Sequence, residues 1–195
     1  GTNNNENNDT KKNHPSNIAK IFHASLQGPK AQKSGYYSYY MPGVGTPFPE
    51  VGELDYSEKG LKYATGGEDR INWALVSIAD VLHWALTRNR LSSDDCAKAV
   101  TKMSTWPTPL MSTLGPSNRR SVMTNLLAPL KARVPVAQPK VLGIKLFVYG
   151  FSRGAAEART FVTWLSQLFD TSEGAERPEQ SLIGIPVSVE FLGLL

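Results

Sequence analysis

The chain has 195 residues, of which 41% are hydrophobic and 19% are charged, and its formal net charge is +4. These values fit one compact domain with a sizeable core, and they exclude the disordered and fibrous classes. The net positive charge is small, and the sequence contains no run of five or six Lys or Arg residues. We therefore expect no nucleic-acid partner, while an anionic surface such as phospholipid headgroups would be favoured.

The sequence offers few residues that could form a disulfide, bind a metal or insert into a membrane. Cys96 is the only cysteine, so an internal disulfide and a cysteine-based metal site are excluded. The three histidines, His14, His23 and His83, are too widely spaced to suggest a metal motif, and we expect no cofactor. No apolar stretch could span a bilayer and no signal peptide opens the chain. These features predict a cytosolic protein, or one exported without a cleavable signal.

The first half of the chain predicts a loop, two helices and a strand. Residues 1–17 are rich in Asn and indicate an irregular or disordered loop. The apolar pattern after Ser16 predicts a short helix that this residue caps. Residues 35–49 predict a strand that runs into a tight loop rich in Pro and Gly. Residues 70–88 carry apolar side chains at helical spacing and predict a long helix, with Asp69 as its N-cap.

The middle of the chain predicts two shorter helices separated by an irregular segment. Residues 93–103 place their apolar side chains on one helical face. Residues 104–120 contain three prolines and a glycine, so no long regular element is expected there. A short helix is predicted around residues 120–130.

The last third predicts a strand, a helix and a second strand. Residues 144–149 are mostly apolar and predict a buried strand, and residues 155–169 predict an amphipathic helix. Residues 182–195 predict a strand whose first part is broken by Gly184 and Pro186. Strands that alternate with helices indicate an α/β layered sheet.

One motif carries recognisable chemistry. Gly150, Ser152 and Gly154 form a G-x-S-x-G pattern directly between the predicted strand and the predicted helix, which is the setting of a nucleophile elbow. Such a turn strains Ser152 so that its hydroxyl projects above the sheet, and the two glycines avoid collisions between backbones. The N–H of Arg153 could then bind the oxyanion of a tetrahedral intermediate. The alternative is a glycine-bounded helix cap with an inert serine.

A nucleophilic serine needs a base, and the histidines of this chain are poorly placed to supply one. In α/β-hydrolases the chain order is Ser, acid, His, yet no histidine follows Ser152. We expect His83, in the middle of a helix, to be a half-buried structural residue. His14 is the least implausible substitute base.

The candidate acids are equally incomplete. Asp170 would lie about 27 Å from Ser152 at the far end of the intervening helix, which excludes it. Glu190 sits in the last strand and could approach from a neighbouring position. The acid normally follows a strand, so we expect it just beyond Leu195, and we expect residues 1–195 to be an inactive fragment.

Several segments together resemble one family. Tyr149–Arg159 resembles the GFSRGA nucleophile elbow of type VI secretion lipase effectors, α/β-hydrolases long known only as a domain of unknown function. Gly1–Asn4 is similar to the tail of that family's FDGTxNN turn, and Ser16–Ile18 and Tyr39–Thr46 are similar to its next two blocks. Phe191–Leu195 resembles the strand that leads into its acid-bearing FDTV turn.

The resemblance implies a fold and an activity. It implies an α/β-hydrolase with a mostly parallel sheet flanked by helices, of which residues 1–195 lack the first strand and the region carrying the acid and His. It implies a phospholipase A-type antibacterial toxin that cleaves acyl esters of membrane glycerophospholipids through an acyl-enzyme on Ser152. It also implies an oxyanion role for Thr2 beside Arg153.

The resemblance further implies a route and partners. The protein would leave the cytoplasm of the producing cell by a signal-peptide-independent route and reach the periplasm or membrane of a target cell. A secretion-spike protein or an immunity protein would be its macromolecular partner, and the membrane surface would be its site of action.

Other interpretations remain open at this stage. The same elbow serves thioesterases, peptidases and acyltransferases, and the chain could instead be a non-catalytic module that binds an immunity or delivery protein. Trp106–Met111 could be a lid or lipid-contacting edge, or an apolar loop packed on the domain. The aromatic residues of 36–40 are more typical of a strand and core than of a binding platform.

Overall fold

The computed structural model describes residues 4–6, 14–63, 65–105, 113–171 and 179–195. Within these ranges the chain forms seven α-helices of six residues or more, two 3₁₀ segments of three residues or more, and three strands. The helices are α1 (Asn17–Ala24), α2 (Gly28–Lys33), α3 (Glu58–Tyr63), α4 (Gly67–Thr87), α5 (Ser93–Met103), α6 (Gly115–Leu127) and α7 (Arg153–Ser166). The strands are β1 (Ile144–Gly150), β2 (Ser181–Leu182) and β3 (Ile185–Leu194), and the 3₁₀ segments are Pro49–Val51 and Ala128–Val136.

The sheet is small and mixed. The strand order is β1-β3-β2, with β1 parallel to β3 and β2 antiparallel to β3. Helix α7 provides the crossover between the two parallel strands, as a β-α-β unit requires. The predicted α/β class is confirmed. The two longer strands pair in parallel, and a short hairpin adds the third strand in antiparallel orientation.

The hairpin between β2 and β3 turns at the break that the sequence predicted. Ile183 and Gly184 have φ values of 49° and 80°, as a two-residue type I′ turn requires. The Asp170 carboxylate accepts hydrogen bonds from the N–H of Ile183 at 3.1 Å and of Gly184 at 2.9 Å. It also accepts from the hydroxyl of Ser181 at 2.7 Å. Asp170 therefore stabilises a turn that places a β-branched residue in an unfavourable conformation.

Helix starts agree with the sequence where the cap is local. Ser16 accepts from the N–H of Ala19 at 3.2 Å and begins α1, as predicted. The prediction that Asp69 caps α4 was wrong, because the left-handed conformation of Gly66, with φ 89°, begins the helix earlier. Asp69 instead lies in the first turn, where a carboxylate is favoured by the helix dipole.

The predicted strand within residues 35–49 does not form. The backbone turns at Gly45, with φ 83°, and only an isolated bridge joins Phe48 to Glu53. Its aromatic side chains pack against α4 instead: the rings of Tyr39 and Phe48 lie 5.7 Å and 4.9 Å from the ring of Trp73. Contacts with a helix therefore decide this segment over its strand-like composition.

The core lies between the helices and one face of the sheet. Side chains of α4, α5, α6 and α7 form it together with β2 and β3, and α7 packs on both parallel strands. The prediction that β1 is a buried strand was wrong, because its residues alternate between half-buried and exposed. Phe147, Tyr149 and Phe191 are 61%, 38% and 48% exposed. The described residues thus cover one face of β1 only.

None of the helices in the described ranges has the length and apolar character that a bilayer crossing requires.

A buried arginine joins the loop before α4 to the helix itself. Arg70 has no solvent exposure. Its guanidinium donates to the carbonyls of Pro42 and Thr46, both at 2.9 Å, and it lies 2.8 Å from the carboxylate of Glu53. A further bond of 3.2 Å reaches the carbonyl of Gly66 at the start of α4. One side chain thereby fixes two loops to the first turn of the helix.

We expect Arg70→Met to lower the free energy of unfolding by about 3–5 kcal/mol, because it leaves a partly buried carboxylate and several carbonyls without a partner. Chemical denaturation measures the change. The matched control is Arg133→Met, since Arg133 is exposed. Equal effects of the two substitutions would contradict the anchoring role of Arg70.

Candidate active site

Ser152 occupies a strained turn between β1 and α7. It follows the strand end at Gly150 by two residues and directly precedes the first helical residue, Arg153. Its backbone has φ 56° and ψ −125°, a conformation that residues with a side chain rarely adopt. The residue is exposed. This is the strand–turn–helix geometry that the sequence motif predicted.

The turn depends on a very close approach between two backbones. A Cβ at Gly150 would lie 2.2 Å from the carbonyl oxygen of Gly154 and 2.7 Å from the Cα of Ala155. Both are backbone atoms, so the first turn of α7 would have to move to admit any side chain. The first glycine of the motif is therefore a steric requirement of the turn.

Backbone hydrogen bonds hold the turn in place. Ser152 donates its N–H to the carbonyl of Leu195 at 2.7 Å, and Leu195 donates to Gly150 at 2.9 Å. The N–H groups of Gly154 and Ala155 bond to the carbonyls of Phe151 and Ser152. The end of the chain at β3 consequently lies beside Ser152, at the carboxyl edge of both parallel strands.

These bonds do not use the backbone N–H of Arg153, which lies next to the serine. As the first residue of α7, Arg153 has an N–H with no acceptor inside the helix. The positive end of the helix dipole lies at the same point. This N–H and the dipole are suited to stabilising negative charge that develops on an oxygen bonded to the carbon that a serine oxygen attacks.

The Arg153 side chain has a separate task that sequence reasoning missed. Its guanidinium donates to the carbonyls of Leu61 at 2.6 Å and Gly60 at 3.2 Å. Both carbonyls belong to the last turn of α3, where helical acceptors lack partners. The side chain thus ties α3 to the serine turn. No local pattern could have indicated this, since the partners are more than 90 residues away.

Glu157 is a second feature that the sequence did not single out. It lies one turn after Arg153 on α7, and its Oε1 would be 3.3 Å from a Cβ at Gly67. Burial raises the pKa of Glu157 to about 7, and the neighbouring Arg70 acts in the opposite direction. A carboxyl group that titrates near neutrality therefore sits between α7 and the start of α4.

No histidine among the described residues hydrogen-bonds to Ser152. His83 Nε2 lies 2.8 Å from the carbonyl of Leu126, which is the structural role expected from its place in α4. His23 lies 3.2 Å from the carboxylate of Glu6. His14 is exposed, and nothing links it to the serine.

The two acids weighed from the sequence are engaged elsewhere. Asp170 supports the hairpin turn, in agreement with its exclusion as a partner of Ser152. Glu190 is the extra residue of a bulge in β3, because Leu146 pairs with Val189 and Phe147 with Phe191. Its carboxylate accepts from Ser188 at 2.8 Å and lies 3.7 Å from Lys145. Measured along the strand, Glu190 lies about 13 Å from Leu194, which is at the edge of the sheet beside Ser152.

Two other predictions fall outside the described residues. Thr2, assigned an oxyanion role by resemblance, and the possible lid at Trp106–Met111 both lie there. In the described part of the chain, no group of three or more His, Cys, Asp or Glu could hold a metal ion.

We expect Gly150→Ala to lower the free energy of unfolding by about 2–3 kcal/mol, because its Cβ would collide with backbone atoms that cannot rotate away. Thermal or chemical denaturation measures the loss. Gly143→Ala is the matched control, since its Cβ would meet its nearest neighbour, the carbonyl oxygen of Pro186, at an ordinary 3.4 Å. A Gly150 variant as stable as the Gly143 variant would refute the steric argument.

We expect Glu157 to make stability fall as pH rises. An unfolded glutamate loses its proton near pH 4.3, whereas folded Glu157 keeps it to about pH 7, so folding takes up a proton between these values. Glu157→Gln should remove this dependence and gain on the order of 2–3 kcal/mol relative to the wild type between pH 5 and pH 8. Parallel pH profiles of the two proteins would show that Glu157 ionises normally. Glu58→Gln, at an exposed site, is the control.

Comparison with known proteins identifies a structural relative without an assigned activity. No family model matches the chain, and no curated protein matches it. The chain is similar to a crystal structure described as an uncharacterized protein from Pseudomonas aeruginosa, with 42% sequence identity and a TM-score of 0.89. The match covers all of this chain and 28% of the other. The chain thus corresponds to a little over a quarter of that longer protein.

Proposed function

We propose that this chain carries the nucleophile of a serine ester hydrolase, with Ser152 attacking acyl esters of membrane glycerophospholipids. The observation that carries the proposal is the backbone of Ser152, which has φ 56° between a parallel strand and a helix. Strain of this kind persists only where the surroundings enforce it, and it is concentrated at functional sites. An inert helix cap would not require the close contact at Gly150.

In the proposed reaction, Ser152 Oγ bonds to the ester carbonyl carbon while its proton passes to a base. The carbonyl oxygen becomes an oxyanion, which the N–H of Arg153 stabilises. Collapse of this intermediate expels the glycerol oxygen, which takes the proton from the base, and leaves an acyl group on Ser152. Water then attacks the acyl-enzyme by the same steps in reverse order, releasing a fatty acid and the free serine.

The base and its orienting acid would enter at the edge beside Leu195. The bond from Ser152 to Leu195 puts the end of β3 next to the nucleophile. Chain that continues from this edge in a longer protein would meet the serine within a few residues. This is how the Ser–acid–His order of α/β-hydrolases would be satisfied here.

Three observations support a lipid substrate. Phe151 is 46% exposed directly beside Ser152, and Leu194 and Leu195 are also exposed at this edge. Such apolar side chains suit contact with an acyl chain. The net charge of +4 favours an anionic membrane surface. The GFSRGA segment resembles type VI secretion lipase effectors, and delivery into a target bacterium with an immunity partner is proposed on that resemblance alone.

A specific observation also favours a non-catalytic alternative. The exposed sheet face formed by Phe147, Tyr149 and Phe191 could bind another protein, with the serine turn serving only as a rigid connection. Active-site labelling separates the two functions, because a fluorophosphonate reacts only with an activated serine.

In the full-length protein, we expect Ser152→Ala to reduce phospholipid hydrolysis by about 10⁴-fold or more and to abolish fluorophosphonate labelling. Fatty-acid release from mixed vesicles measures the reaction, and circular dichroism checks the fold. Ser166→Ala, at the other end of α7, is the control and should keep wild-type activity. Near-normal turnover by Ser152→Ala would end the assignment of this residue as nucleophile.

A further inference from the structure

Two adjoining cavities form a groove away from the serine turn. Their volumes are about 520 Å³ and 210 Å³, and Tyr39, Glu50 and Trp73 line both of them. The rings of Phe22, Tyr40 and Phe48 complete the larger cavity. We call these five aromatic residues and Glu50 the aromatic groove.

The rings of the aromatic groove are held by one another. Trp73, on α4, makes edge-on contacts with Tyr39 and Phe48 at interplanar angles of 82° and 74°. Phe22, on α1, lies 5.6 Å from the ring of Tyr40. Because the rings come from α1, from α4 and from the segment between α2 and α3, the groove is largely formed before any ligand binds.

The charged side chains that line the two cavities are acidic, and two arginines lie next to their rings. Arg70 is 5.5 Å from the centre of the Phe48 ring, and Arg90 donates to the hydroxyl of Tyr39 at 3.4 Å. Neither cavity is lined by a lysine or an arginine, whereas Glu6, Glu50 and Asp80 contribute carboxylates. Asp80 is paired with Arg90, and Glu6 lies 3.2 Å from His23. Glu50 is exposed and forms no ion pair with any described residue. An uncompensated carboxylate therefore sits where the two cavities meet, in a chain whose overall charge is positive.

We propose that the aromatic groove binds a small organic cation of the alkylammonium class, with a quaternary ammonium group against the rings. Ring faces carry negative charge density and attract such cations, most strongly at tryptophan. Glu50 adds a full negative charge beside Tyr39 and Trp73. An anion would be repelled by Glu50, and a purely apolar ligand would gain nothing from it.

The proposal does not depend on Ser152. The groove is lined by Trp73 and Asp80, about two and about four turns along α4 from Gly67, whereas the serine turn lies at the start of α7. The ammonium group could belong to a lipid headgroup or to a free metabolite. Both share the chemistry that the groove recognises, and the experiment separates them.

Calorimetric titration of the full chain with choline chloride tests the proposal. Its matched control ligand is 3,3-dimethylbutan-1-ol, which has the shape of choline without the charge. Choline should bind saturably and at least about tenfold more tightly than the neutral alcohol. Glu50→Gln should weaken choline binding about fivefold, while Glu58→Gln, which removes an exposed carboxylate outside the groove, should leave it unchanged. Trp73→Leu should abolish it.

Equal affinity for choline and the neutral alcohol, or unchanged binding by Glu50→Gln, would overturn the proposal. Absence of saturable choline binding would also overturn it. Because Glu50 is exposed, its variant remains informative even if Trp73→Leu fails to fold.

Vesicle binding by the Ser152→Ala protein shows whether the ammonium group belongs to a lipid headgroup or to a free metabolite. The substitution is used so that hydrolysis cannot interfere. Binding to phosphatidylcholine vesicles that choline displaces, and no such binding to phosphatidylglycerol vesicles, would support a lipid headgroup. Choline binding without displaceable vesicle binding would support a free cation. Loss of hydrolysis with retained choline binding, or the reverse, distinguishes failure of one proposal from failure of the other.

Discussion

The close backbone contact between the end of β1 and the first turn of α7 is the constraint on which the serine turn depends. Only a residue without a side chain at Gly150 allows the approach, and the approach forces Ser152 into its positive-φ conformation. Such strain needs support from the surroundings. The support comes from the core residues of α7, such as Leu165, and from the bonds between Leu195 and the two residues that flank Phe151.

Helix α4 connects this turn to the rest of the molecule through buried charge. Arg70 fixes the loops before it, and Glu157 lies against its start with a pKa raised to about 7 by burial. The same helix carries Trp73 into the aromatic groove. One rigid element therefore supports a polar cluster close to the candidate nucleophile and, further along, a groove whose charge suits a cation.

The sequence by itself determined the features that depend on neighbouring residues. The helical spacing of residues 93–103 predicted α5 with its observed bounds, and Ser16 caps α1 as expected. The turn at Ser152 was predicted from its glycines and from the elements on either side, because the steric conflict involves residues within five positions. The hairpin break at Gly184 was also predictable locally, because glycine tolerates the positive φ of 80° that the turn requires.

Only the tertiary structure decided the features that depend on distant partners. The aromatic composition of residues 35–49 favours a strand, yet contacts with Trp73, more than 20 residues later, prevail. Strand β1 carries large apolar side chains on both faces, and only the placement of α7 decides which face is covered. The burial that raises the pKa of Glu157 depends on a segment about 90 residues away. The hydrogen bonds from the Arg153 side chain to α3 likewise join segments about 90 residues apart. Local periodicity carries no information about such contacts, because they are set by how the elements pack.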